Sequence, residues 1–223
     1  MRSLFCALAA AGYLMMGTAH ASVSLCDGVS SNIVQNCGFE APTDDPNVLP
    51  SWTVAGNTSA TNFWGLDQFD PHTGGSDAFF SVQGALDGTH KAADSITLSQ
   101  IIAGTGSAGA IYSISFYLSQ DAAPDTKHGN TNFFSASFGG DTLLQETAAA
   151  ATNGYVLESF VVTGADLASN TLSFSFQNDD GDWFIDDIVV TVPEAGSILM
   201  LGAGLVGLAA FGRRPGRISN VRA

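Results

Sequence analysis

The chain has 223 residues, with 21 Asp or Glu against seven Lys or Arg and a formal net charge of −14. A surplus of this size repels phosphate backbones and excludes the nucleic-acid-binding classes.

At the amino end, Met1-Arg2-Ser3 gives a positive start and Leu4 to Gly17 an apolar core. Ala19-His20-Ala21 then places small residues at the two positions a signal peptidase reads. The pattern predicts a signal peptide over residues 1–21, cleaved after Ala21, and hence export. A buried first helix is a poorer reading, because this stretch has no polar face. Lipoprotein processing is excluded by Leu25, which precedes Cys26 where a small residue is required.

Ser22 to Val192 follows as one domain of 171 residues, long enough for a core of its own. It carries 20 acidic residues and two basic ones, Lys91 and Lys127, for a net charge of −18. Such a surface favours cations, cationic partners or neutral glycans. Cys6 leaves with the signal peptide, so Cys26 and Cys37 remain. In an oxidising compartment that spacing predicts a disulfide, worth about 2–3 kcal/mol, pinning the amino-terminal arm to the first strand.

The domain reads as strand after strand. Tyr112, Ile114, Phe116 and Leu118 alternate with serines, and Leu172, Phe174 and Phe176 alternate with Thr171, Ser173 and Ser175. A period of two marks strands with one buried and one wet face. Further strands are predicted over 53–54, 78–82, 95–101, 132–138, 155–162 and 183–191, separated by Gly, Asn, Asp and Pro. Leu143 to Thr152 has room for a helical turn or two. Eight or nine short strands predict an all-β, two-sheet antiparallel sandwich of the jelly-roll type.

Candidate chemistry is sparse. Asn62-Phe63-Trp64-Gly65-Leu66-Asp67 and Phe69-Asp70-Pro71-His72 form an aromatic loop region of the kind that binds glycans, with Trp64 as the candidate platform. Trp52, Trp183 and most of the Phe residues are expected in the core. Asn178-Asp179-Asp180-Gly181-Asp182 is acidic but lacks the twelfth-position Glu of an EF-hand, so a tight turn explains it. His72, His90 and His128 have no H-E-x-x-H or G-x-S-x-G around them. Twenty acids will supply a pair at glycosidase spacing by chance, so that count decides nothing. No catalytic residue is expected.

At the carboxyl end, Ala195 to Gly212 is an uncharged run of 18 residues. As a helix it would cover about 27 Å, close to a bilayer core of about 30 Å. Arg213, Arg214, Arg217 and Arg222 follow, which orients the domain outside and residues 215–223 in the cytoplasm. Gly202-Ala203-Gly204-Leu205-Val206-Gly207 fits a dinucleotide pattern, yet no acidic residue follows it, and small residues in a membrane helix account for it.

Pro193-Glu194, the apolar run and the arginines Arg213 and Arg214 together resemble the PEP-CTERM sorting signal of exopolysaccharide-producing Gram-negative bacteria. Ala195 stands where the second proline of that motif is found. The resemblance implies transit through the inner membrane and recognition by an exosortase, a membrane peptidase that releases or transfers its substrate. Cell-surface or extracellular delivery, and association with exopolysaccharide or biofilm matrix, are what the resemblance implies for function.

A second resemblance covers about residues 32–191. Asn32 to Glu40 with Trp52, Leu98-Ser99-Gln100, Tyr112 to Phe116, Leu172-Ser173-Phe174 and Trp183 to Val190 resemble the jelly-roll domains of the galactose-binding-like superfamily, which includes many carbohydrate-binding modules. That resemblance implies glycan recognition, and a structural calcium between Glu40, after the first strand, and Asp186, in the last. Backbone amides are the other partners open to these two carboxylates.

Overall fold

Alternation of apolar and small polar side chains gives ten strands among the described residues: β1 Thr53–Gly56, β2 Phe63–Asp67, β3 Asp77–Ser81, β4 Ile96–Ile101, β5 Ile111–Gln120, β6 Asn132–Phe138, β7 Asp141–Thr147, β8 Val156–Thr163, β9 Thr171–Asn178 and β10 Trp183–Thr191. The computed structural model describes residues 23–58, 62–82, 95–102, 110–128, 130–163 and 170–192. The signal-peptide segment 1–21, Pro193, Glu194, the apolar run and Arg213 and Arg214 lie outside these residues. Among the described residues, no helix is long and apolar enough to cross a membrane.

The strands form two antiparallel sheets, ordered β1-β4-β9-β6-β7 and β2-β3-β10-β5-β8. The chain passes from one sheet to the other at most of its connections, which is jelly-roll wiring. Both inner faces are aromatic. Phe80 stacks on Phe176 with centroids 4.0 Å apart, and Phe116 meets Phe174 edge-on at 5.0 Å. Trp183, Tyr112, Phe134 and Phe138 fill the rest of the interior, and Trp52 closes it beside Phe39.

Three segments depart from the sequence-based expectation. Residues 141–147 are strand β7 at a sheet edge, where the sequence leaves room for a helical turn. Residues 63–67 are strand β2, where a loop is expected. Residues 32–39 do not form a first strand, because Asn36 and Phe39 have φ of 50° and 58°, which no extended run tolerates. The arm is strung between the sheets instead. Its Ile33 amide donates to Val190 O, the Ile188 amide donates to Cys37 O, and the Gln100 side chain of β4 bonds both backbone groups of Gln35.

Cys26 and Cys37 are joined by a disulfide with Cα atoms 6.1 Å apart, which locks a 3-10 turn at Leu25–Gly28 against this arm. Replacing both cysteines with serine is expected to lower stability by about 2–3 kcal/mol in urea titration, with a urea dependence that is equal or slightly steeper because the unfolded chain loses its cross-link.

Candidate functional site

Strand β10 carries adjacent acids, Asp186 and Asp187, at a bulge where its register to β5 shifts between Asp186 and Val189. Asp187 has φ of 49°, so the extra residue turns its carboxylate away from the sheet and toward the amino-terminal arm. There it accepts four hydrogen bonds: Ser24 Oγ at 2.6 Å and Cys26 N at 2.9 Å on Oδ1, His72 Nδ1 at 2.7 Å and Thr73 Oγ1 at 2.6 Å on Oδ2. Burial pushes this carboxyl up, but the bonds from Ser24, Thr73, His72 and Cys26 outweigh it and hold the group below the usual carboxylate range.

Asp186 stays in the sheet, on its outer face beside Tyr117, its register partner. Its oxygens accept the amides of Thr73, at 3.1 Å, and of Asp187, at 2.7 Å. Burial first, and then the neighbouring Asp187, push it up to about 8. Asp77 on β3 lies on the same outer face, opposite Asp67 of β2. It is fully buried, accepts the Tyr155 hydroxyl through Oδ2, and leaves Oδ1 without a partner. Burial pushes it up to about 7; the Tyr155 bond opposes this, while Asp67 and Asp70 add to it.

Loop 71–76 roofs these two carboxyls. His72 stacks on Tyr117 with centroids 3.5 Å apart and meets the edge of Tyr155. Glu40 holds the far end of the loop, accepting the amides of Gly75 and Ser76 at 2.7 and 3.1 Å. Gly74 has φ of 77°, and a β-carbon there would overlap the Glu40 carboxylate, so the approach requires glycine.

Beside the roof lies a cleft of about 290 Å³. Phe184 and Ser119, register partners on β10 and β5, make its floor. Tyr155, Asp67, Asp70 and Asp121 stand around it. An apolar floor ringed by hydrogen-bonding groups is the chemistry of a small polar ligand site.

The sequence-based site residues fall differently. Trp64 is half-buried rather than in a loop: it pairs in register with the fully buried Phe80, and strand alternation turns both toward the core. Glu40 and Asp186 both reach loop 71–76, but through its amides. The acids and histidine placed to share an ion are His72, Asp186 and Asp187, without Glu40. Calcium requires six to eight oxygens. Here one ligand is a nitrogen, and the Asp187 and Asp186 oxygens already face N–H and O–H donors, so these residues as placed do not fit it. Asp179 and Asp180 serve the acidic turn, accepting from Thr131 N and from Asp125 N and Asn130 Nδ2. Phe184, Tyr155 and Asp121 escape sequence reasoning. Phe184 sits in an obvious closing strand and looks like core until register shows it faces outward.

No protein-family model matches the chain, and the comparison with curated proteins finds no match. Solved structures do match. A cyclase from Fischerella sp. TAU is 12% identical with a TM-score of 0.50, over 78% of this chain and 98% of that one. The likeness is one of fold. TmCBM61 in complex with β-1,4-galactotriose is 19% identical with a TM-score of 0.45, over 73% and 99% of the two chains. The CBM22-1 xylan-binding domain from Paenibacillus barcinonensis Xyn10C is 15% identical with a TM-score of 0.41, over 71% and 92%.

The carboxyls set a pH dependence. Asp77 and Asp186 bind protons more tightly when folded, so between about pH 4 and pH 8 the folded state holds protons that the unfolded chain has lost. Their contribution is complete below about pH 4 and fades as pH rises through that window. Asp187 acts oppositely, its contribution being lost as pH falls below about 4. Urea-derived stability is therefore expected to decline from pH 5 to pH 8, and Asp77→Asn should make that decline shallower.

Proposed function

We propose that this chain is a non-catalytic carbohydrate-binding module, exported and displayed at the cell envelope or in the extracellular matrix. The observation that carries the reading is the cleft on the outer face of β2-β3-β10-β5-β8. The Phe184 ring offers a flat apolar surface to the C–H face of a sugar, and the Tyr155 hydroxyphenyl group borders it. Asp67, Asp70, Asp121 and Ser119 offer acceptors and a hydroxyl to its polar edge.

Binding is favoured over hydrolysis by burial. Two carboxyls have a proton affinity that suits a general acid at neutral pH: Asp186, pushed up to about 8 but fully buried beneath loop 71–76, and Asp77, pushed up to about 7. Asp77 is likewise fully buried and capped by the Tyr155 hydroxyl, out of reach of a glycosidic oxygen.

Export rests on the sequence at both ends. Residues 1–21 direct secretion through signal peptidase, and the segment 193–214, with its resemblance to a PEP-CTERM signal, passes the protein to an exosortase. The domain would then meet exopolysaccharide outside the cell.

Glycan-array binding by the purified protein is the direct test. Phe184→Ala is expected to weaken binding tenfold or more, about 1.4 kcal/mol, with a small change in melting temperature. Trp64→Ala should do the reverse, costing about 2 kcal/mol of stability while the folded fraction keeps its affinity. An array with no binder would remove the proposal. Mass spectrometry of the protein recovered from its native host is expected to show an amino terminus at Ser22 and loss of the apolar tail; an intact chain in the cytosol would refute export.

A further inference from the structure

We infer that the cleft takes a positively charged sugar, a hexosamine polymer bearing free amino groups; this rests on the carbohydrate-binding reading and names its ligand class. Asp67, Asp70 and Asp121 stand around the Phe184 floor. The Asp67 carboxylate is oriented through Oδ1 by the amides of Gln68 and Phe69, at 2.7 and 3.2 Å. Asp121 is oriented by the Asp182 amide at 2.6 Å. Each arrangement fixes one oxygen by backbone and leaves the carboxylate its second.

Among the described residues, no Lys or Arg forms an ion pair with these acids. Lys127 is the one Lys or Arg among the described residues, and it is exposed, in the 3-10 turn Thr126–His128. His72 is turned to Asp187.

A second observation comes from behind the cleft wall. Asp77 is the register partner of Asp67, is fully buried, and has Oδ1 with no hydrogen-bond partner. Burying a carboxyl with an unanswered oxygen costs free energy unless a compensating group arrives. Its proton affinity is raised in part by Asp67 and Asp70, so the wall and the buried acid share one negative field. A cation held at Asp67 and Asp70 would weaken that field from the cleft side, without touching Asp77 itself, which the Tyr155 hydroxyl covers.

The ligand must then combine a cation with a flat apolar face. Uronates and sulfated sugars are repelled by the carboxylates. A neutral sugar gains only ordinary hydrogen bonds from them. A protonated amino group adds charge-assisted bonds to a carboxylate, which are shorter and about twice as strong. The pyranose ring beneath it covers Phe184. With about 290 Å³ available, the cleft holds a short stretch of one chain.

The test is calorimetry on the full-length protein at pH 6 with three probes of equal length: a β-1,4-glucosamine hexamer, its fully N-acetylated form, and a neutral β-1,4-linked hexose hexamer. The glucosamine hexamer is expected to bind at least tenfold tighter than the other two, with an advantage that shrinks as sodium chloride rises from 20 to 300 mM. Asp67→Asn combined with Asp70→Asn should reduce that advantage to threefold or less, and Phe184→Ala should weaken all three probes. Equal or tighter binding of an uncharged hexamer overturns the cationic assignment and leaves the carbohydrate reading standing. Binding of none overturns both. A preference undiminished in the Asp67→Asn, Asp70→Asn, Asp121→Asn triple variant, folded by circular dichroism, overturns the placement in this cleft.

Discussion

The Asp187 carboxylate is the point on which the arrangement depends. It joins three pieces of chain that are remote in sequence: the disulfide-closed turn at Ser24 and Cys26, loop 71–76 through His72 and Thr73, and the bulge of the closing strand. Four donors on two oxygens fill its acceptor capacity, which is why a buried charge is tolerated. Removing any one donor leaves part of that charge unanswered in a low-dielectric site. The tie is electrostatic and local, yet it sets the position of the loop that roofs the outer face.

That roof explains the contrast between two neighbouring acids. Asp186 and Asp187 are consecutive, but the bulge sends one into the sheet face and the other into the arm. Donors meet Asp187 from side chains and backbone alike, whereas Asp186 meets two amides and a like charge. Opposite shifts in proton affinity follow from the same dipeptide. The row Asp67–Asp77 and Asp186–Tyr117 is thus covered at its centre by His72 and open at its margin, where Phe184 and the acids of the cleft emerge.

The fold was legible where one face is wet. β5, β6 and β9 alternate large apolar residues with serine, so period alone places them and their buried sets. β2 and β7 were hidden. Phe63-Trp64-Gly65-Leu66-Asp67 has the composition of a binding loop, and only pairing with β3 shows that Trp64 and Leu66 point inward. In β7 both Leu143 and Leu144 are half-buried at a sheet edge, which blurs the alternation. The first arm misled differently. Its apolar residues suggest a strand, but positive φ at Asn36 and Phe39 bends it, and side chains of Asn32 and Gln100 replace a ladder. Cleft residues were least legible, since Phe184, Ser119 and Asp121 come together only through register and sheet order.

The strand order has a temporal meaning. β10, the last strand among the described residues, is the middle member of its sheet, between β3 and β5. Until Trp183 to Thr191 have emerged, that sheet is two halves, each with a raw edge where the centre will later insert. A chain made from its amino end therefore cannot close its interior until Trp183 to Thr191 are available. The core residues Trp183, Ile185, Ile188 and Val190 arrive with that strand, so packing between the two sheets is completed in one late step rather than strand by strand.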